Sequence, residues 1–140
     1  MKTVTKNMIQ LYEIKRLGYD FMGYTFVRPQ ELSFHHLRIS HKDCDRKNIP
    51  DQGYCEWNGA ILVQNTAHDY LHIIENVDRE IFLKITEQMI LENNNQKISI
   101  ENLKKIRDLL LYFEKQYSEI ENKKGKSLIR EKYITDRITL

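Results

Sequence analysis

From Ser99 to Tyr117 apolar side chains return every three or four residues, as Ile100, Leu103, Ile106, Leu110, Phe113 and Tyr117. That period puts them on one stripe of an α-helix about five turns long, with Ser99 at the N-cap. Such a stripe has to be covered, either by its own chain or by a second copy. The preceding stretch "VDREIFLKITEQMILEN" is helical in pattern too. Near the start, Met8, Leu11, Tyr12 and Ile14 predict a helix over 4–17, stopped by Gly18. Between these helices lie shorter signals. "YDFMGYTFVRP" is aromatic, punctuated by glycine and ended by Pro29, which reads as irregular chain. "ELSFHHLRI", with Leu32, Phe34, Leu37 and Ile39, reads as a strand, and "AILV" at 60–63 as a second. Residues 40–58 hold Pro50, Gly53 and many charges and read as an exposed loop. Thr66 followed by Asp69 has the form of a capping box, so a helix is expected to start there.

The order helix, strand, loop, strand, helix and two further helices specifies an α+β fold, with helices packed around a small two-stranded element. A chain of 140 residues with 41% hydrophobic content can bury one core, so residues 1–140 are expected to form a single domain. Within it, 31–75 is the strand–strand–helix core, 78–122 the helical C-terminal part and 123–140 a charged tail or docking arm. No run of apolar residues is long enough for a membrane span, and "MKTVTKNMIQLYEIKRL" is not a signal peptide. Cys44 and Cys55 form no C-x-x-C pair, which excludes a four-cysteine zinc knuckle; free thiols in a cytoplasmic protein are the simplest expectation. A net charge of +2 permits a nucleic-acid partner without requiring one.

The chemistry concentrates in one region. All five histidines lie between residues 35 and 72. In the helix after Thr66, the residues Ala67, Tyr70, Leu71 and Ile74 define the buried face, and His68, His72 and Glu75 fall on a stripe beside it. Two histidines one turn apart suit two ligands of one metal ion. His35 and His36 stand side by side on the first strand, where neighbours point to opposite faces. They can serve one site only if the strand ends or bulges there, or if the site straddles its edge.

Taken together, the His-His pair, the Asn58 that leads "WNGAIL" and the H-x-x-x-H of "HDYLH" resemble the HNH endonucleases, the ββα-metal (His-Me) finger family, in its colicin-DNase-like variant. The resemblance implies that His35, His68 and His72 bind one divalent metal. It implies that His36 is the general base for the attacking water, and that Asn58 ties down the loop behind His36. The implied activity is metal-dependent hydrolysis of phosphodiester bonds in DNA. Neutral imidazoles favour bound Zn²⁺, Ni²⁺ or Mn²⁺, whereas Mg²⁺ or Mn²⁺ suits turnover.

Arg38, Lys42, Arg46 and Lys47 lie close by in sequence and are candidate phosphate contacts. His41 is expected at the surface or on a phosphate, and Tyr70 and Trp57 in the core. Glu75 is expected either to orient a histidine or to make a surface i, i+3 pair. The alternative reading is a non-catalytic protein on the same scaffold, binding nucleic acid or docking on a nuclease as an inhibitor or accessory subunit. In either case the long C-terminal helix is a candidate surface for a homodimer.

Overall fold

A computed structural model describes residues 1–140. The elements, in chain order, are α1 (Thr3–Leu11), α2 (Ile14–Leu17), β1 (Leu32–His36), α3 (His41–Arg46), β2 (Gly59–Val63), α4 (Asp69–Val77), α5 (Arg79–Asn95), α6 (Ile100–Tyr117) and α7 (Glu131–Thr135). Two antiparallel strands and a majority of helix make the chain α+β. No helix is long and apolar enough to cross a membrane.

β1 and β2 pair without a bulge, from Leu32 opposite Val63 to His36 opposite Gly59. Every residue of β2 is buried, which explains why its sequence runs apolar without alternating, and at Gly59 the strand lies against the Phe34 ring and Met8 of α1. Gly59 is the exception in chemistry. A Cβ there would sit 2.2 Å from the Phe34 ring, so only glycine lets β2 pass beneath that ring.

Several sequence expectations change in three dimensions. The helix over 4–17 is broken after Tyr12, because Glu13 takes a left-handed backbone (φ 54°) and the chain restarts as α2. Thr66 is no N-cap. The chain enters α4 through a wide π-turn, Gln64–His68, that is already helical, so the last extended residue is Val63, and Thr66 lies inside the helical path rather than at its start. The stretch 40–58 is not all loop, since Ser40 caps α3 by accepting from the Asp43 N–H at 3.0 Å. Trp57 is 54% exposed, because the single turn before β2 directs Asn58 inward and its neighbour outward.

The largest change concerns 123–140, which is not a free tail. Ile129 and Tyr133 are buried, and Tyr133 stacks on Tyr70 with ring centroids 4.8 Å apart. Arg137 pairs with Glu114 of α6 at 2.7 Å, both side chains 10% exposed, and Tyr70 donates to the same carboxylate. The apolar positions among the charges are what dock this segment. The α6 stripe is likewise used at home: Leu103, Ile106, Leu110 and Phe113 are buried in the chain's own core. Ile100, Leu111 and Tyr112 of the same helix stay exposed, at 47%, 49% and 54%.

Besides Glu114, two carboxyls lie within this core. Asp20 accepts from the N–H groups of Met22 and Tyr24 and, at 2.7 Å, from Val63 of β2, which pins the turn at Gly23 to the sheet. Burial pushes it up to about 7 against those donors. Glu92 is fully buried, and neither carboxyl oxygen has a partner. Burial holds its carboxyl well above the usual value of 4.5, and facing Asp20 raises it further.

The sign of the resulting pH dependence follows from that rise. A folded value raised above the unfolded one gives stability that is complete below the unfolded value and is lost as pH climbs through the folded one. Glu92→Gln removes the titration. Thermal melts are expected to show little change near pH 5 and a stabilisation of about 1–3 kcal/mol near pH 8. Equal melting shifts at the two pH values would rule out a protonated Glu92.

Candidate metal centre

The site is built on β1, the turn into α4 and the start of α4. Alternation along β1 sends Ser33 and His35 to one face and Phe34 and His36 to the other. His35 reaches toward α4, where its ring lies 5.3 Å from that of His68 and 6.0 Å from that of His72, centroid to centroid. His68 and His72 themselves stand 4.9 Å apart, one turn along the helical path. One ring nitrogen from each of His35, His68 and His72 lies within 4.8 Å of the other two, so the three can hold a metal ion.

Two observations fit that role. His35 is only 6% exposed, yet its Nε2 is enclosed with no hydrogen-bond partner, which is costly for a nitrogen with nothing to bind. Burial also disfavours protonation. Together with the neighbouring imidazoles, it lowers His35 to about 3 and His68 to about 4. Near neutral pH these rings therefore keep the lone pairs a cation needs. Glu75 lies 3.5 Å from His72 Nδ1, an i, i+3 contact with a histidine of the cluster, and also 3.4 Å from Arg79, an i, i+4 pair that was not anticipated.

His36 ends β1. It packs edge-on against Phe34 (5.1 Å) and Tyr54 (4.7 Å), and His41 lies 5.5 Å away. Its Nε2 is enclosed without a partner, which leaves Nδ1 as the ring nitrogen open to the cleft. Gly53 borders that enclosure. A Cβ at Gly53 would lie 3.1 Å from His36 Nε2 and 2.5 Å from Cys44 Sγ, so the loop can close behind His36 only with glycine there. Burial lowers the His36 imidazole, His41 lowers it further, and Asp45 opposes them. Because the strand ends here without a bulge, His35 and His36 face opposite ways and still line one cleft of about 840 Å³.

Asn58 is buried at the foot of the loop. Its Oδ1 accepts from the Arg38 and Ile39 N–H groups, and its Nδ2 donates to the Ile39 and Gly53 carbonyls. Each hydrogen-bonding position of the amide is used, and together they clamp both ends of 38–58.

The basic residues divide. Arg38 lies over the Trp57 ring at 4.7 Å and donates to Asn93 (2.9 Å), Asn94 (2.7 Å) and the Trp57 carbonyl, so its guanidinium serves the fold. Arg46 pairs with Asp43. Lys42 lines the cleft, whereas Arg46 and Lys47 do not. His41, exposed and 3.4 Å from Asp45, stands at the cleft edge. Sequence reasoning did not single out Ser33 or Tyr54 for this site. The alternation that pairs Ser33 with His35 was the available signal for Ser33, while Tyr54 gave none, because only loop closure brings it to His36.

Comparison of the chain with protein-family models, curated proteins and solved structures finds no match.

Proposed function

We propose that the chain is a divalent-metal-dependent endonuclease of the HNH type that hydrolyses phosphodiester bonds in DNA. The observation that carries this reading is the convergence of His35, His68 and His72 on one point, with His36 free of that cluster in the same cleft. The succession of β1, β2 and α4 supports a ββα-metal finger, and the Asn58 clamp matches the role that the resemblance gives it.

His35, His68 and His72 would hold the cation through neutral nitrogens. A divalent ion there supplies positive charge against the phosphate oxygens. His36 takes a proton at Nδ1 from water as the water oxygen attacks phosphorus. The bond from phosphorus to the leaving oxygen breaks, and that oxygen takes a proton from solvent. Lys42 and His41, at the cleft edge, are placed to meet the phosphate backbone.

The test is a plasmid assay across Mg²⁺, Mn²⁺, Zn²⁺ and Ni²⁺, with melting curves alongside. Nicking or linearisation is expected in at least one metal and none with EDTA. Zn²⁺ or Ni²⁺ at about a hundred times its dissociation constant is expected to stabilise the fold by about 2.7 kcal/mol. Cleavage that persists in EDTA would refute a metal-dependent mechanism.

One observation favours the second reading, a non-catalytic or nuclease-docking protein. The guanidiniums that line the cleft are engaged within the chain: Arg38 by Asn93 and Asn94, and Arg79 by Glu75. Metal binding without cleavage in any of the four ions, together with a stable complex with a nuclease, would decide for it.

A further inference from the structure

Ser33 lies two residues before His35 on the same face of β1, opposite Leu62 in the sheet register. Its Oγ is 2.8 Å from His68 Nδ1 and 3.1 Å from the Leu62 carbonyl oxygen. These two contacts restrict where the protons can be. A hydroxyl has one proton to donate, and a carbonyl oxygen can only accept. If Ser33 gave its proton to the ring nitrogen, two oxygens would face each other at 3.1 Å with no proton between them. Donation to Leu62 instead leaves the Oγ lone pairs toward His68, and the ring nitrogen must then carry the hydrogen.

We propose that Ser33 is a positioning residue that holds neutral His68 as its Nδ1–H tautomer. This rests on the reading of His35, His68 and His72 as a metal cradle, and it names the residue that makes one of those ligands ready. A neutral histidine left to itself favours the proton on Nε2. In His68 that would cover the nitrogen left to face His35 and His72, since Nδ1 is turned to Ser33. The contact with Ser33 reverses that preference and fixes the ring plane, as an acceptor behind a ligating histidine does. His72 has an acceptor of its own behind Nδ1, the Glu75 carboxylate at 3.5 Å. The sheet register is thereby tied to the site. The β1–β2 pairing that sets Ser33 against Leu62 also sets the protonation pattern of a side chain on the next element.

The experiment reads the tautomer directly, in metal-free protein near pH 7.5, by long-range proton–nitrogen NMR of the histidine rings. In the wild type, His68 Nδ1 is expected at a protonated shift and Nε2 at an unprotonated one. Ser33→Ala is expected to move the pattern toward Nε2–H and to weaken Zn²⁺ binding, titrated with the metal alone, about 10- to 100-fold. Ser33→Thr keeps the hydroxyl and is expected to restore both. A wild-type His68 protonated at Nε2 would overturn the proposal without any variant having to fold, and so would an Nδ1–H pattern that survives Ser33→Ala. If the tautomer responds to Ser33 as described but no form binds Zn²⁺, the lock stands and the metal cradle falls.

Discussion

Asn58→Ala is expected to lower stability by about 3–5 kcal/mol, roughly 10–20 °C in melting temperature. The size follows from what the amide does. It is 1% exposed and makes four hydrogen bonds, all to backbone groups of the 38–58 segment. Alanine leaves two N–H groups and two carbonyls facing a small hole, each costing about 1–3 kcal/mol less whatever water recovers. Asn58→Asp separates the two halves of the clamp. The acceptor oxygen toward Arg38 and Ile39 survives, but the donor is replaced by an oxygen facing the Ile39 and Gly53 carbonyls. Near neutral pH the aspartate variant is expected to be no more stable than the alanine one, with partial recovery in acid, where the carboxyl can donate. Both variants loosen Gly53 from behind His36, so cleavage should fall in whatever protein remains folded. A melting temperature for Asn58→Ala within about 2 °C of the wild type would show that the clamp contributes little.

His36→Ala is expected to reduce the cleavage rate by about 10²–10⁴-fold, the usual worth of a positioned general base, while leaving Zn²⁺ affinity unchanged. The separation of the two effects comes from β1. His35 and His36 are adjacent in the chain but face opposite ways, so removing the base disturbs none of the three clustered rings. His35→Ala should behave in the opposite manner and lose the metal first. Initial cleavage rates and calorimetric titrations on the two variants give a two-by-two comparison. Wild-type cutting by His36→Ala would move the base elsewhere, with His41 the nearest imidazole at 5.5 Å. Loss of Zn²⁺ binding in that variant would show that the two faces of β1 are not independent.

Much of this was legible from local pattern. The stripe of α6, the apolar run of β2 and the Ser99 cap are set by neighbours three, four or two residues apart, and each element formed where its period says it should. The i, i+4 spacing of His68 and His72 likewise survives the unexpected π-turn, because a wide turn still advances the chain helically. Contacts across long separations were not legible. Nothing near Arg38 shows that Asn93 and Asn94, more than fifty residues away, will take its guanidinium. Nothing within 123–140 shows that Glu114 and Tyr70 await Arg137 and Tyr133.

By itself, then, the sequence determined the two strands, the long helices and which side chains carry chemistry, since these depend on residues a turn or a pleat apart. The short helices α3 and α7 and the break before α2 were not legible in it. Tertiary structure alone decided that His35 meets His68 and His72, and that His36 turns the other way toward Tyr54 and His41. It also decided that Ser33 stands between a carbonyl and an imidazole. Those outcomes depend on how β1 lies against β2 and α4, and a packing direction is set by the whole core rather than by any short stretch of chain.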